Sequence, residues 1–208
     1  FTSVKMLIDL IQADAFVIHL NPLQELLQPE GTPCFSGLLK SLKRLVKEIE
    51  IPVIVKEIGA GISGKASKAL LETGVKGIDV AGAGGTSWAA IEMLRNKSMT
   101  NDYFWDWGLP TSFCLKKNIK LKKKYKFLLI GSGGINSAID AAKAFALGAD
   151  YVAYARTILK ELNSTGSEGV TNLITNWFET IKKIMFLTGS KSLKDLRKNK
   201  LMKKELIY

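Results

Sequence analysis

The chain has 208 residues, of which 47% are hydrophobic and 24% are charged, and its mean hydropathy is +0.10. This much apolar surface is typical of a globular protein and excludes a disordered or fibrous chain. No stretch of the sequence is apolar for long enough to predict a transmembrane helix. Thirty lysines and arginines against nineteen acidic residues give a net charge of +11, which attracts nucleic acid, acidic membranes or phosphorylated metabolites.

The N-terminal segment and the two cysteines indicate the cellular environment. Asp9 comes too early for a signal peptide, and a small-residue cleavage site is missing. Only Cys34 and Cys114 are present, which indicates a reducing, cytoplasmic environment rather than a disulfide framework. We expect a single domain over residues 1–208, and because the chain starts at Phe1, we expect it to be part of a longer protein.

The basic residues are concentrated in two tracts, residues 116–126 and 194–204. Such charge runs usually form a solvated surface. A nucleic-acid-binding module would also interleave aromatic residues with the basic ones or show a helix-turn-helix or zinc pattern, and Tyr125 alone does not meet this requirement. We therefore expect neither nucleic acid nor a membrane as the partner. A non-catalytic basic module that binds nucleic acid is kept as an alternative to an enzyme.

Five short apolar runs predict buried β-strands. None alternates cleanly with polar residues, which is typical of a parallel sheet covered on both faces. In chain order, the runs occupy residues 15–18, 53–55, 77–80, 127–130 and 151–154.

Helical patterns lie between and after these runs. Apolar residues recur at helical spacing over residues 38–49, and Pro52 closes that stretch. Two further helices are predicted between a serine that caps the start and a glycine that ends the helix, over residues 63–74 and 137–148. A longer amphipathic helix is predicted over residues 170–185.

Alternating strands and helices predict an α/β fold, either an open doubly wound sheet or a (β/α)8 TIM barrel. A doubly wound sheet would place phosphate-binding glycines after its first strand. Here the glycines follow the later strands, whereas a barrel places its phosphate site after strands seven and eight. We therefore predict the last five β/α units of a TIM barrel, strands four to eight with the C-terminal helices, without the N-terminal part of the barrel.

Two glycine-rich segments, residues 82–87 and 131–137, precede predicted helices. Backbone N–H groups at such places suit phosphate oxygens. Tight turns would explain either segment alone, but the two together, with Arg156 after the fifth strand, favour a phosphate site. Trp88 follows the first segment and fits either the core or a wall of the site.

Polar residues also follow the first two strands. Lys56 ends an apolar strand, where it would be costly to bury without a partner, and Glu57 faces the opposite side. This favours a ligand contact for Lys56. His19 occupies the equivalent place one strand earlier, where an ordinary structural role and a site role are equally compatible with the pattern. Gln24 and Glu25 offer an amide and a carboxylate, and one carboxylate binds Mg²⁺ only together with substrate phosphates and water.

Several segments, in order and with matching spacing from His19 to about Leu159, resemble type 2 isopentenyl diphosphate isomerase. They are HLNPLQELLQPEG (19–31), VKEIGAGIS (55–63), IDVAGAGGTSWAAIE (78–92), DWGLPT (106–111) and SGGINSAIDAAKAFALGAD (132–150). The first segment is highly specific for this family, whereas the last is shared by many FMN-binding barrels.

The resemblance implies an FMN-dependent (β/α)8 enzyme that interconverts isopentenyl and dimethylallyl diphosphate, with reduced FMN, Mg²⁺ and NAD(P)H as reductant, working as a homo-oligomer. For the substrate and metal, it implies that Gln24 contacts the substrate, Glu25 binds Mg²⁺, His19 and Asn21 line the diphosphate site, and Trp88 lies by the prenyl group. For the flavin, it implies that Lys56 reaches the N1–C2=O edge and that FMN is held by Thr86, Gly134, Ile135, Asn136, Ala155 and Arg156.

The sequence departs from the family pattern in three respects. Asn136 stands where the family's glycine loop usually has arginine, a loss that Lys143 or Arg156 would have to replace. Ala81 stands where serine is common. The family's N-terminal Arg-Lys pair and its first three strands have no counterpart, so residues 1–208 alone are expected to leave an exposed sheet edge.

Another FMN-dependent barrel, of the 2-hydroxy acid oxidase type, is the alternative enzyme. Its chemistry usually needs a catalytic histidine and a carboxylate-binding arginine late in the chain. Neither is present, since His19 is the only histidine.

Overall fold

The computed structural model describes residues 2–96 and 103–202 and contains one parallel sheet with strand order β1-β2-β3-β4-β5. The strands are β1 Phe16–His19, β2 Val53–Lys56, β3 Gly77–Asp79, β4 Leu128–Gly131 and β5 Tyr151–Val152. Each lies within two residues of its predicted run. The predicted parallel α/β sheet is therefore confirmed.

Helices follow every strand and cover one face of the sheet. They are α1 Thr2–Ile11, α2 Pro22–Leu27, α3 Leu38–Glu48, α4 Gly64–Leu71, α5 Trp88–Arg95, α6 Thr111–Asn118, α7 Ala138–Ala146, α8 Arg156–Leu187 and α9 Leu193–Leu196, with a 3-10 helix at Ile119–Lys123. Among the described residues, none of these helices combines the length and the apolar character needed to cross a membrane.

The predicted serine caps are confirmed. The Ser63 hydroxyl accepts the N–H of Ala66 at the start of α4, at 3.2 Å. The Ser137 hydroxyl accepts the N–H of Asp140 at the start of α7, also at 3.2 Å. A side-chain acceptor of this kind satisfies a backbone donor that the first helical turn leaves unpaired.

The helix after the fifth strand differs from its prediction. It begins at Arg156, well before residue 170, and is interrupted at Gly166, where φ is 72° and ψ is −165°. Glycine adopts this left-handed region without a steric penalty, so α8 is two helical stretches that meet at Gly166. Helices α1, α2, α6 and the short α9 have no counterpart among the predicted helices either.

The two basic tracts lie mainly at the surface, as predicted. The lysines of the first tract lie on α6, on the 3-10 helix and on the segment that follows, and all are exposed except the half-buried Lys122. In the second tract Lys194, Lys198 and Lys200 are exposed, and residues 203–204 lie outside the described residues.

The register of the strands gives the sheet two unlike faces. Val55, Ile78 and Leu129 lie side by side on β2, β3 and β4, and each is fully buried beneath the helices. The preceding row of register partners runs from Val17 on β1 to Leu128 on β4 and faces the opposite side of the sheet. Val17 and Leu128 are 50% and 39% exposed there. The second face is therefore open in this chain.

Asp150 ties the start of β5 to two other parts of the fold. Its carboxylate accepts hydrogen bonds from Lys122, from Arg197 at 3.0 Å and from the Leu129 N–H at 2.9 Å. Burial opposes ionisation of Asp150, but these donors outweigh it and hold its pKa below the ordinary value. The stabilisation is complete above the unfolded-state pKa of about 3.9 and is lost as the pH falls through the lower folded-state pKa.

Replacing Asp150 with asparagine should therefore lower stability at neutral pH and weaken its acid dependence. We expect Asp150→Asn to reduce the free energy of unfolding at pH 7 by about 1–3 kcal/mol, because charged hydrogen bonds are lost. The difference from the wild type should shrink below about pH 4. Urea titrations between pH 3 and 7 measure both effects, with the exposed Asp14→Asn as control; an unchanged difference at all pH values would contradict the prediction.

Candidate active site

Three ionisable side chains occupy one row at the carboxyl end of the sheet. His19, Lys56 and Asp79 are register partners on β1, β2 and β3. Neighbouring strands lie about 4.8 Å apart, so the three side chains leave the same face of the sheet next to one another. This places a cationic and an acidic group side by side at the strand ends.

A cavity of about 590 Å³ opens above this row, within the usual range for ligand pockets. Its walls come from residues that follow all five strands. Ten of the residues predicted for the site line it: His19, Gln24, Lys56, Thr86, Trp88, Gly134, Ile135, Asn136, Ala155 and Arg156. Trp88, which the sequence left open between core and site, is 42% exposed and forms part of the wall.

Lys56 is held by the backbone of the next residue. Its Nζ donates to the Glu57 carbonyl oxygen at 2.7 Å. The Glu57 carboxylate faces away into the protein, where it is buried and accepts the N–H groups of Ile58, Gly59 and Ala60 at 2.6, 3.0 and 2.9 Å. Glu57 therefore shapes the loop after β2, and the Lys56 ammonium is anchored at the cavity without a carboxylate partner of its own within ion-pair distance in the described chain.

Asp79 is the acidic group of the row, and sequence reasoning missed it. It is 6% exposed and accepts the Ser132 hydroxyl at 2.6 Å and the Ala81 N–H at 3.3 Å. Burial raises the pKa of Asp79, against the effects of Ser132, the Lys56 charge and the Ala81 N–H. An acid at the end of an otherwise apolar strand is the sequence signal that would have found it.

Gln24 is oriented by a second residue that was not predicted. Its Nε2 donates to Glu92 Oε1 at 2.9 Å, and Glu92 is 1% exposed. Glu92 also accepts Arg95 at 2.6 Å, and Arg95 reaches Glu30 at 3.0 Å. The buried carboxylate thus fixes the amide nitrogen of Gln24 on the α5 side.

Asn21 and Glu25 lie beside the cavity rather than in its wall. Asn21 Nδ2 donates to Glu25 Oε1 at 3.0 Å, and the Thr32 N–H donates to Glu25 Oε2 at 3.0 Å. The Thr32 and Asn21 bonds hold the pKa of Glu25 below its ordinary value, which keeps the carboxylate charged. No cluster of three metal-binding side chains exists among residues 2–96 and 103–202, so a cation at Glu25 would take its other ligands from elsewhere.

The loops after β3 and β4 pack against each other through their glycines. A Cβ on Gly133 would lie 2.0 Å from the Gly82 oxygen, and one on Gly134 would lie 2.4 Å from the Gly84 oxygen. Gly133 and Gly134 also have φ of 91° and 75°, in the region that favours glycine. Only glycine permits this approach of the two backbones.

The same loops present unpaired donors. Within the described chain, the backbone N–H groups of Gly85, Thr86, Gly134 and Ile135 donate to no protein acceptor, and all four residues line the cavity. Arg156, the first residue of α8, adds a guanidinium, whereas Lys143 is exposed on α7 and does not line the cavity. Of the two cations expected to replace an arginine at position 136, Arg156 lines the cavity and Lys143 does not.

This arrangement fits FMN. Free backbone N–H groups, a helix N-terminus and a guanidinium suit a phosphate dianion. Lys56, at the end of β2, suits the electron-rich edge of a reduced flavin ring. Lys56 and Arg156 line the same cavity of about 590 Å³.

Comparison with known proteins supports the resemblance in the motifs. The chain is 43% identical over 221 residues to an isopentenyl-diphosphate delta-isomerase of Chlorobium phaeobacteroides, covering 99% of this chain and 60% of that relative. It is also 43% identical over 193 residues to the protein of this name from Methanothermobacter thermautotrophicus, covering 92% of this chain and 54% of the relative. The chain therefore spans little more than half the length of these relatives.

Solved structures confirm the barrel fold. A mandelate oxidase variant with (S)-mandelic acid aligns with a TM-score of 0.68 at 20% identity, covering 97% of this chain and 59% of that one. Another, with a monooxide FMN adduct, aligns with a TM-score of 0.67 at 19% identity, covering 94% and 56%. These identities show a shared fold only, so they do not favour the 2-hydroxy acid oxidase alternative.

Most of the chain also matches the sequence model of a protein family. The model for FMN-dependent dehydrogenase matches residues 35–203, which include β2 to β5 and both glycine loops. With the parallel sheet, the glycine loops and the cavity at the strand ends, this match shows that the chain belongs to the FMN-dependent dehydrogenase family and forms part of a (β/α)8 barrel.

Proposed function

We propose that the protein carrying this chain interconverts isopentenyl diphosphate and dimethylallyl diphosphate with reduced FMN and Mg²⁺, as a homo-oligomer in the cytoplasm, with NAD(P)H supplying the reducing electrons. The observation that carries the proposal is the convergence of Lys56, Gln24 and the paired glycine loops on one cavity. The name of the relatives, isopentenyl-diphosphate delta-isomerase, supports the choice of reaction.

In this proposal the chain holds FMN at two places. The N–H groups of Gly134 and Ile135 and the guanidinium of Arg156 bind the phosphate, with Thr86, Asn136 and Ala155 beside them. The Lys56 ammonium would hold the N1–C2=O edge and stabilise the negative charge of the reduced ring. When bound, reduced FMN would supply the proton-transfer chemistry that shifts the double bond, so no single side chain would have to act as both acid and base.

The substrate occupies the remainder of the cavity. His19 in the cavity wall and Asn21 beside the cavity would bind the diphosphate, and the indole of Trp88 in the wall would pack against the apolar prenyl group. Gln24 Nε2 donates a hydrogen bond to Glu92, and the Asn21 amide donates to Gln24 Oε1 at 3.4 Å. Gln24 is thus held in one orientation before substrate arrives, which reduces the entropy lost on binding.

Glu25 is the proposed Mg²⁺ ligand. Its two oxygens accept one backbone and one side-chain hydrogen bond and keep further lone pairs for a cation. Mg²⁺ commonly uses one protein carboxylate and completes its octahedron with water and phosphate oxygens. The metal would therefore take Glu25 as its protein carboxylate and its other ligands from the diphosphate and water.

The proposal is tested with the intact protein that carries this chain. After reconstitution with FMN, anaerobic reduction and addition of Mg²⁺, proton NMR should show each of the two diphosphates converting into the other without net redox change. Protein that binds no flavin and converts neither substrate would overturn the proposal. Turnover of mandelate-type 2-hydroxy acids without isomerisation would favour the oxidase alternative.

Replacing Glu25 with glutamine should separate metal binding from flavin binding. We expect Glu25→Gln to lower isomerase activity at least about a hundredfold, because the neutral amide would bind Mg²⁺ weakly and the charge of the metal on the substrate phosphates would be lost. The flavin absorption of the purified variant should be unchanged. The exposed Glu50→Gln is the control, and full activity of Glu25→Gln would remove Glu25 from the site.

Arg156 and Lys143 offer a matched pair for the phosphate. We expect Arg156→Ala to raise the dissociation constant of FMN by about 10- to 100-fold, because a charge-assisted hydrogen bond is lost, and Lys143→Ala to leave it unchanged. Quenching of flavin fluorescence measures both constants. Equal effects of the two substitutions would mean that general charge, not the position of Arg156, attracts FMN.

A further inference from the structure

Residues 108–111, named here the strap, connect the loops that follow three neighbouring strands. The Leu109 N–H donates to the Ala60 oxygen after β2 at 2.8 Å, and the Leu109 oxygen accepts the Ala83 N–H after β3 at 2.9 Å. The Thr111 N–H donates to the Ala83 oxygen at 3.3 Å. The strap therefore runs alongside the β3 loop and fixes it to the β2 loop.

Thr111 connects the strap to the loop after β4 by hydrogen bonds. Its hydroxyl lies 2.6 Å from the Gly133 oxygen and 3.0 Å from the Ser132 oxygen, and the residue is 8% exposed. The Ser132 oxygen also accepts the Gly82 N–H at 3.0 Å. A Cβ on Gly82 would lie 2.5 Å from both the nitrogen and the Cα of Thr111, so Thr111 is packed tightly between the two loops.

The hydrogen bond from Thr111 to the Gly133 oxygen affects the direction of the Gly134 N–H group. The Gly133 C=O and the Gly134 N–H belong to one planar trans peptide unit and point in opposite directions. When the Thr111 hydroxyl holds that carbonyl on one side, the Gly134 N–H is directed to the other side. Gly134 lines the cavity, and its N–H has no acceptor in the described part of the chain.

We infer that Thr111 is a positioning residue that aims the Gly134 N–H at the FMN phosphate and thereby sets the preference of the site for FMN over riboflavin. The inference rests on the FMN site of the proposed function. Thr111 does not line the cavity and acts only through the peptide unit that joins Gly133 and Gly134. Its effect is therefore specific to the phosphate, because riboflavin has the same ring and ribityl chain but no phosphate.

The test compares Thr111→Val with Thr111→Ser in the intact protein. Valine keeps the branched shape and removes the hydroxyl, whereas serine keeps the hydroxyl. We expect valine to raise the FMN dissociation constant about tenfold and to change that of riboflavin less than about twofold, because one hydrogen bond to the phosphate is misdirected. Serine should restore FMN binding to within about threefold of the wild type. Ser112→Ala, which removes a neighbouring exposed hydroxyl, is the control.

Three results would overturn the inference while the proposed function stands. These are wild-type FMN binding by Thr111→Val, equal weakening of FMN and riboflavin, and failure of serine to restore binding. Thr111→Ala is measured in parallel, and if neither it nor the valine variant folds, Thr111 supports the fold rather than the phosphate loop. Wild-type protein that binds neither flavin would instead overturn the proposed function.

Discussion

The parallel register of the strands is the constraint on which the site depends. Burial of Val55, Ile78 and Leu129 beneath the helices fixes which face of each strand points inward. Because side chains alternate along a strand, the next row, with His19, Lys56 and Asp79, must leave by the other face. A slip of one residue in β2 would turn Lys56 into the helical layer and Glu57 into the cavity.

Charge in this protein has two separate roles. The excess of basic residues lies largely on exposed segments, where it affects solubility and long-range attraction of anions. Around the cavity, the buried carboxylates of Glu57 and Glu92 instead satisfy donors of the protein itself, three backbone N–H groups in one case and Gln24 and Arg95 in the other. They leave Lys56 and Arg156 as the lysine and arginine that line the cavity in the described part of the chain.

Local patterns were enough to predict the strands and the caps at Ser63 and Ser137, since burial runs and capping act over a few residues. Contacts between distant segments were not predictable in this way. Glu92 lies 68 positions from Gln24, and nothing near it in the sequence indicates that the two meet. The strap is a similar case, because Thr111 becomes important only where the loops after β3 and β4 come together. The first stretch of α8 and its break at Gly166 were missed because residues 163–169 contain no apolar side chain, so the helical spacing is visible only from residue 170.

The backbone contact between the two glycine loops also restricts how this region can diverge. A single added carbon at Gly133 or Gly134 would collide with a carbonyl of the opposite loop, at 2.0 or 2.4 Å, and carbonyl groups have no rotamer by which to yield. Neither loop can therefore acquire a side chain at these positions unless the other retreats at the same time. Directed evolution toward a bulkier or differently charged cofactor would need paired changes in both loops, and single-site libraries would recover few variants there.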